Sequence, residues 1–162
     1  ARATRVIGSG PRAGEEFPVE VPTHVSALLE FESGASAQSV FSFQSPLVRA
    51  GFVEFSGTEG TLVFPDPNNF EGDLLLWGEE SEEAETIPTT AIASRGTGVV
   101  DLARAIRSGV PERASGEQAF HVVDILVSIL EAAETGQWVD VTSTVALAES
   151  LPEDWDPRAA TL

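Results

Sequence analysis

Residues 23–44 alternate apolar and polar side chains with a period of two, interrupted once by a turn, and this pattern constrains the fold more than any other feature of the chain. Val25, Ala27, Leu29 and Phe31 share one side of the first run, with His24, Ser26 and Glu30 on the other. Glu32, Ser33 and Gly34 supply the turn, and Ala37, Phe41 and Phe43 then face away from Ser36, Gln38, Ser42 and Gln44. Successive side chains of a strand point to opposite faces, so the stretch predicts a half-buried β-hairpin. A second hairpin is expected over residues 52–64, turning at Gly57-Thr58-Glu59-Gly60, where two glycines allow positive φ. "PDPNNFEG" at residues 65–72 reads as a loop. Residues 74–77 and 86–89, joined by "GEESEEAE", read as two further strands, and residues 138–141 as a short last one.

Two helices interrupt the strands. Residues 99–108 place Val99, Leu102, Ala103 and Ile106 on one face, with Asp101 in the first turn and Arg104 and Arg107 in the last, as the helix dipole favours. Gly109 ends it. The second helix is expected to start at the cap Ser115, with Gln118 in the capping-box position, and to run to Thr135 before Gly136. Its two adjacent apolar lines, Phe120, Val123, Val127 and Leu130 beside Val122, Leu126 and Ile129, predict deep burial. Consecutive hairpins followed by two helices define an α+β fold, an open, mostly antiparallel sheet with helices on one face. Residues 1–150 are expected to form a single domain and residues 151–162, with Pro152 and Pro157, a loosely docked tail.

With 162 residues, 42% of them hydrophobic, the chain has material for one sizeable core. A net charge of −17 repels phosphate backbones and anionic lipid, so nucleic acid and membranes are excluded as expected partners. Cysteine and lysine are absent, which removes disulfides, thiolate nucleophiles and Schiff-base chemistry. This composition suits either an arginine-biased proteome or high salt. Methionine is absent too, so the expectation is a processed chain or an excised fragment. No apolar run approaches the ~20 residues of a membrane span, and no export signal opens the sequence; a soluble, cytoplasmic protein is expected.

Several groups carry potential chemistry. Gly96-Thr97-Gly98 precedes a helix, but the third glycine of a dinucleotide fingerprint falls on Asp101, where a carboxylate would face the pyrophosphate. The preferred reading is a helix entrance, with Arg95 and the backbone amides of residues 96–98 as binders of a polar group. Glu79, Glu80, Glu82, Glu83 and Glu85 offer oxygens for a metal, and a solvated hairpin tip explains them better. Asp66, Asn68 and Asn69 lack calcium-loop spacing and read as a turn. His121 shares a helical stripe with Glu117, Asp124, Ser128 and Glu131, a potential proton-transfer pair or half of a metal site with His24, and more simply a hydrogen-bonded structural group. No GxSxG elbow supports a Ser-His-Asp triad.

"VPTHVSALLEFESGASAQSVFSF", "VEFSGTEGTLVFPDPNNFEGDLLLW" and "RGTGVVDLARAIRSGVPERASGEQAFHVVDILVSILEAAETGQWVDV" resemble, in sequence and spacing, the C-terminal domain of the Gfo/Idh/MocA oxidoreductases, the glucose-fructose oxidoreductase and inositol dehydrogenase family. The likeness covers about residues 19–145. It implies a dihydrodipicolinate-reductase-like domain with an open antiparallel sheet, providing substrate contacts and a homo-oligomer interface beside an N-terminal Rossmann domain that holds NAD or NADP. Hydride passes there between a carbinol carbon of a sugar or polyol and the nicotinamide. The family's catalytic lysine and its Asp and His match nothing in this chain, which on this reading has no catalytic, cofactor-binding or metal residue and is inactive alone. The resemblance carries a substrate-contact role only onto Ser94, Arg95 and Gly96. Two other classes remain open: a stand-alone small-molecule-binding or cone-shaped hydrolase-like domain, and an oligomeric scaffold.

Overall fold

Two short strands without a sequence signature come first: β1 (Thr4–Val6) and β2 (Glu16–Pro18) pair antiparallel, with Arg5 opposite Phe17. Gly10 and Gly14, at φ 87° and 92°, turn the chain between them. The computed structural model describes residues 4–44, 53–89, 93–152 and 154–159. They fall into two units: residues 1–47 with 127–140, and residues 48–126 with 141–162.

In the first unit, β3 (His24–Glu30) and β4 (Ser36–Ser42) form the hairpin that the alternation predicts. The register sets Val25 against Phe41 and Leu29 against Ala37, so the apolar sets meet on one face. Gly34, at φ 85°, closes the turn and donates its N–H to the Phe31 carbonyl. Arg5 donates from Nη2 to the Phe43 carbonyl at 3.0 Å, tying β1 to the chain beyond β4.

The second unit contains a four-stranded antiparallel sheet in simple meander order: β5 (Val53–Ser56), β6 (Gly60–Phe64), β7 (Leu74–Gly78) and β8 (Glu85–Ile87). Phe52, expected in the first of these strands, lies outside the described residues. Register rows Val53↔Phe64 and Phe55↔Leu62↔Leu76 collect the apolar side chains on one face, and the Phe55 and Phe64 rings meet edge-on with centroids 5.1 Å apart. Gly60 is required by close approach, because a Cβ there would collide with the carbonyl oxygen of Trp77 on β7.

Helix α1 (Thr97–Ser108) starts at Gly96, in the left-handed conformation at φ 95°, and stops at Gly109, whose N–H bonds the Ala105 carbonyl. Helix α2 (Gly116–Thr135) is capped as its sequence predicts: Gln118 donates its backbone N–H to Ser115 Oγ at 3.1 Å. Its first half belongs to the second unit and its last turns to the first.

The fold is α+β, and among the described residues its strands lie in three antiparallel sheets. Three expectations need correction. Residues 138–141 form no strand; beyond Gly136 the described chain runs without a pairing partner. The apolar lines of α2 are not deeply buried, with Phe120 64% and Val123 54% exposed, because no described element covers them. On α1 the buried side is that of Asp101 and Ala105, while Val99 and Ile106 of the apolar stripe are exposed. Asp101 is covered by its ion pair with Arg113, and on the same helix the Arg104 guanidinium lies over the buried Trp155 ring of the tail, 4.9 Å from its centroid.

Candidate functional site

The entrance of α1 is built by short-range hydrogen bonds. Ser94 donates its N–H to Thr97 Oγ1 at 2.8 Å, and Thr97 returns its N–H to the Ser94 carbonyl at 3.1 Å. These bonds fold residues 94–97 into a tight turn, and glycine at position 96 permits the left-handed backbone with no side chain over the first helical turn.

Beside this turn lies an open cleft of about 350 Å³ lined by Gly96, Gly98, Val99, Asp101, Leu102, Glu112 and Ala114. Its polar groups are two carboxylates of different status. Asp101 is 8% exposed and pairs with Arg113 Nη1 at 2.5 Å, while the same guanidinium donates from Nε to the Glu149 carbonyl at 3.1 Å. Glu112 has no ion-pair partner among the described residues. Of the three residues singled out from sequence, Gly96 lines the cleft, whereas Ser94 and Arg95 are exposed and flank it. Arg113, Asp101 and Glu112 carry no such sequence signal, since Asp101 and Arg113 stand twelve positions apart and meet only across the loop after α1.

His121 has a defined environment. Its Nδ1 lies 2.8 Å from Ser143 Oγ, and Ser143 donates its backbone N–H to Asp124 Oδ2 at 2.9 Å. Serine bridges histidine and aspartate, so the arrangement is not the Ser-His-Asp order of a hydrolase, in which histidine is the bridge. The Ser143 hydroxyl, followed by its N–H, holds the Asp124 carboxyl below its ordinary value; the Thr142 N–H and the His121 charge act in the same direction, against a burial contribution that raises it. A lowered folded-state pKa gives stability that is present above the unfolded pKa and is lost as pH falls through the folded one. After correction for intrinsic exchange, the Ser143 amide should keep constant hydrogen-exchange protection from neutrality to about pH 4, the ordinary carboxylate range, and lose it below. Asp124→Asn should abolish that pH dependence.

The remaining groups are structural or solvated. Asp66 accepts the Asn68 N–H at 3.0 Å and the Asn69 side-chain amide at 3.1 Å, closing the turn after β6. Glu79, Glu80, Glu82 and Glu83 lie exposed in the β7–β8 connection. Among the described residues no group of three or more His, Asp or Glu side chains is placed to hold a metal ion. Glu117 is held below its ordinary value by its own backbone N–H and then by the Ser115 hydroxyl. A second hollow of about 440 Å³ lies over the Gly57–Gly60 turn, against Phe55, Leu62 and Leu76. No helix among the described residues is long and apolar enough to cross a membrane.

No family model, curated protein or solved structure matches the chain.

Proposed function

We propose that the chain is the C-terminal substrate-binding and oligomerisation domain of an NAD(P)-dependent oxidoreductase acting on a sugar or polyol. The observation that carries this reading is the cleft at the α1 entrance. Apolar Val99, Leu102 and Ala114 surround the Glu112 carboxylate and the Arg113-paired Asp101, and Gly96 and Gly98 leave backbone accessible. Such a lining suits a neutral molecule with hydroxyl donors and carbon–hydrogen faces, because a carboxylate accepts hydroxyl protons in strong, directional bonds. It disfavours anions, as does the net charge of −17.

The same lining does not fit a dinucleotide pyrophosphate, which would meet Asp101 where the fingerprint needs glycine. The cofactor, NAD or NADP, is therefore assigned to a Rossmann domain elsewhere in the parent protein, and this chain supplies orientation of the substrate. The finer architecture implied by the resemblance, one open sheet with helices on a single face, belongs to this proposal. So does a homo-oligomer: the β3–β4 hairpin exposes Phe41 and Phe43 on one face and Leu28 and Val40 on the other.

Arg95 tests the reading. It is exposed beside the cleft and has no ion-pair partner among the described residues. In the protein that includes the cofactor domain, Arg95→Ala should cost roughly 1–3 kcal/mol of transition-state stabilisation, the cost of an unpaired polar partner, with cofactor affinity and melting temperature unchanged. Steady-state kinetics with unchanged kcat/KM would remove Arg95 from the site.

A further inference from the structure

Four side chains of the second unit hold residues 141–152 and 154–159 at three separate places. At the near end, Ser143 sits between His121 and Asp124 of α2, at 2.8 and 2.9 Å. In the middle, Arg113 reaches the Glu149 carbonyl. At the far end, Arg104 of α1 donates from Nη2 to the carbonyls of Asp156 and Ala159, at 2.7 and 2.9 Å, and covers the buried Trp155 ring. The segment is itself ordered by tight turns, with Trp155 N–H on the Pro152 carbonyl and Arg158 N–H on Asp156 Oδ1.

We propose that residues 141–152 and 154–159 form a strap that clamps α1 to the first half of α2 and fixes the cleft at the α1 entrance through Arg113. Arg113 is the joint. One edge of its planar guanidinium holds the strap at Glu149, and Nη1 holds Asp101 in the cleft lining. A guanidinium bound at both points has one orientation, whereas loss of the Glu149 carbonyl frees it to rotate and opens the Asp101 pair to water. Docking of the strap and formation of the cleft are then one equilibrium, whatever the cleft binds. The strap is a two-state element of the kind that links a remote contact to a site.

Hydrogen exchange on the full chain tests this without any ligand. Asp124→Ala removes the carboxylate acceptor of the near anchor, and Asp124 makes no hydrogen bond to Arg113 or α1 among the described residues. It should accelerate exchange at residues 142–143 and also at α1 residues 101–105 and the Arg113 Nε proton, by about tenfold or more, the equivalent of one charge-assisted hydrogen bond. Arg104→Ala removes both carbonyl bonds and the contact over the ring, so it reads the far anchor even where Trp155→Ala does not fold. The same pattern of acceleration, including the Arg113 proton, is expected from it. Acceleration confined to residues 142–143 in Asp124→Ala, with α1 and Arg113 unchanged, would overturn the strap.

Discussion

Arg113→Ala should lose about 2–3 kcal/mol of stability, less than the ~3–5 kcal/mol of a fully buried pair because the arginine keeps some solvent access. The side chains of Arg113 and Asp101 are 31% and 11% exposed, so the carboxylate left behind is nearly dry. Removing the guanidinium abandons that charge and also the Glu149 carbonyl. Asp101→Asn should cost less, since the amide keeps an acceptor for Arg113 and carries no charge. In the double variant the stranded carboxylate is gone, so the two losses should not add. Denaturant unfolding of the four proteins gives the coupling directly. A loss within about 0.5 kcal/mol for Arg113→Ala would place the pair among screened surface contacts.

Gly60→Ala should be comparably damaging for a different reason. The added methyl meets the backbone carbonyl of Trp77 across the β6–β7 ladder, and a backbone atom cannot rotate away as a flexible side chain can. Relief requires the strands to separate at this end, with an overpacking cost of about 1–3 kcal/mol. Gly57→Ala, at the other end of the same turn, meets nothing within 4 Å and should be close to neutral. Thermal unfolding of the two variants side by side separates close approach from general turn flexibility. Equal melting temperatures would show that the β6–β7 register differs from the one described.

These residues also show which parts of the fold are legible in sequence. The β3–β4 hairpin and the β5–β6 pair follow from period-two alternation and glycine turns, both local signals. The Ser115 cap and the glycine stops of both helices are equally local. β1 and β2 escape notice because each has only three residues and β2 ends in proline, too short for any period to register. On α1 the apolar stripe points to Val99, Leu102 and Ile106, whereas burial falls on Asp101 and Ala105, since Asp101 is buried against Arg113, a residue beyond the helix. Trp155 and Arg104 meet across 51 positions, and Ser143 reaches His121 across 22; no spacing rule connects residues so far apart. At the site, Gly96 was legible from its turn, while Asp101 and Arg113 draw their meaning from an ion pair only the folded chain brings together.

The proposal that this chain holds the substrate and not the cofactor is tested most directly by titration of the isotopically labelled chain followed by amide chemical shifts. Sorbitol and myo-inositol serve as neutral polyol probes, with NADH and NADPH titrated in parallel. Shift changes should cluster at Ser94, Arg95, Gly96, Gly98 and Glu112 with a polyol, and no saturable change should accompany either dinucleotide. Saturable shifts with NADH or NADPH at the α1 entrance, or polyol titrations that leave residues 94–98 and 112 unmoved, would contradict the assignment.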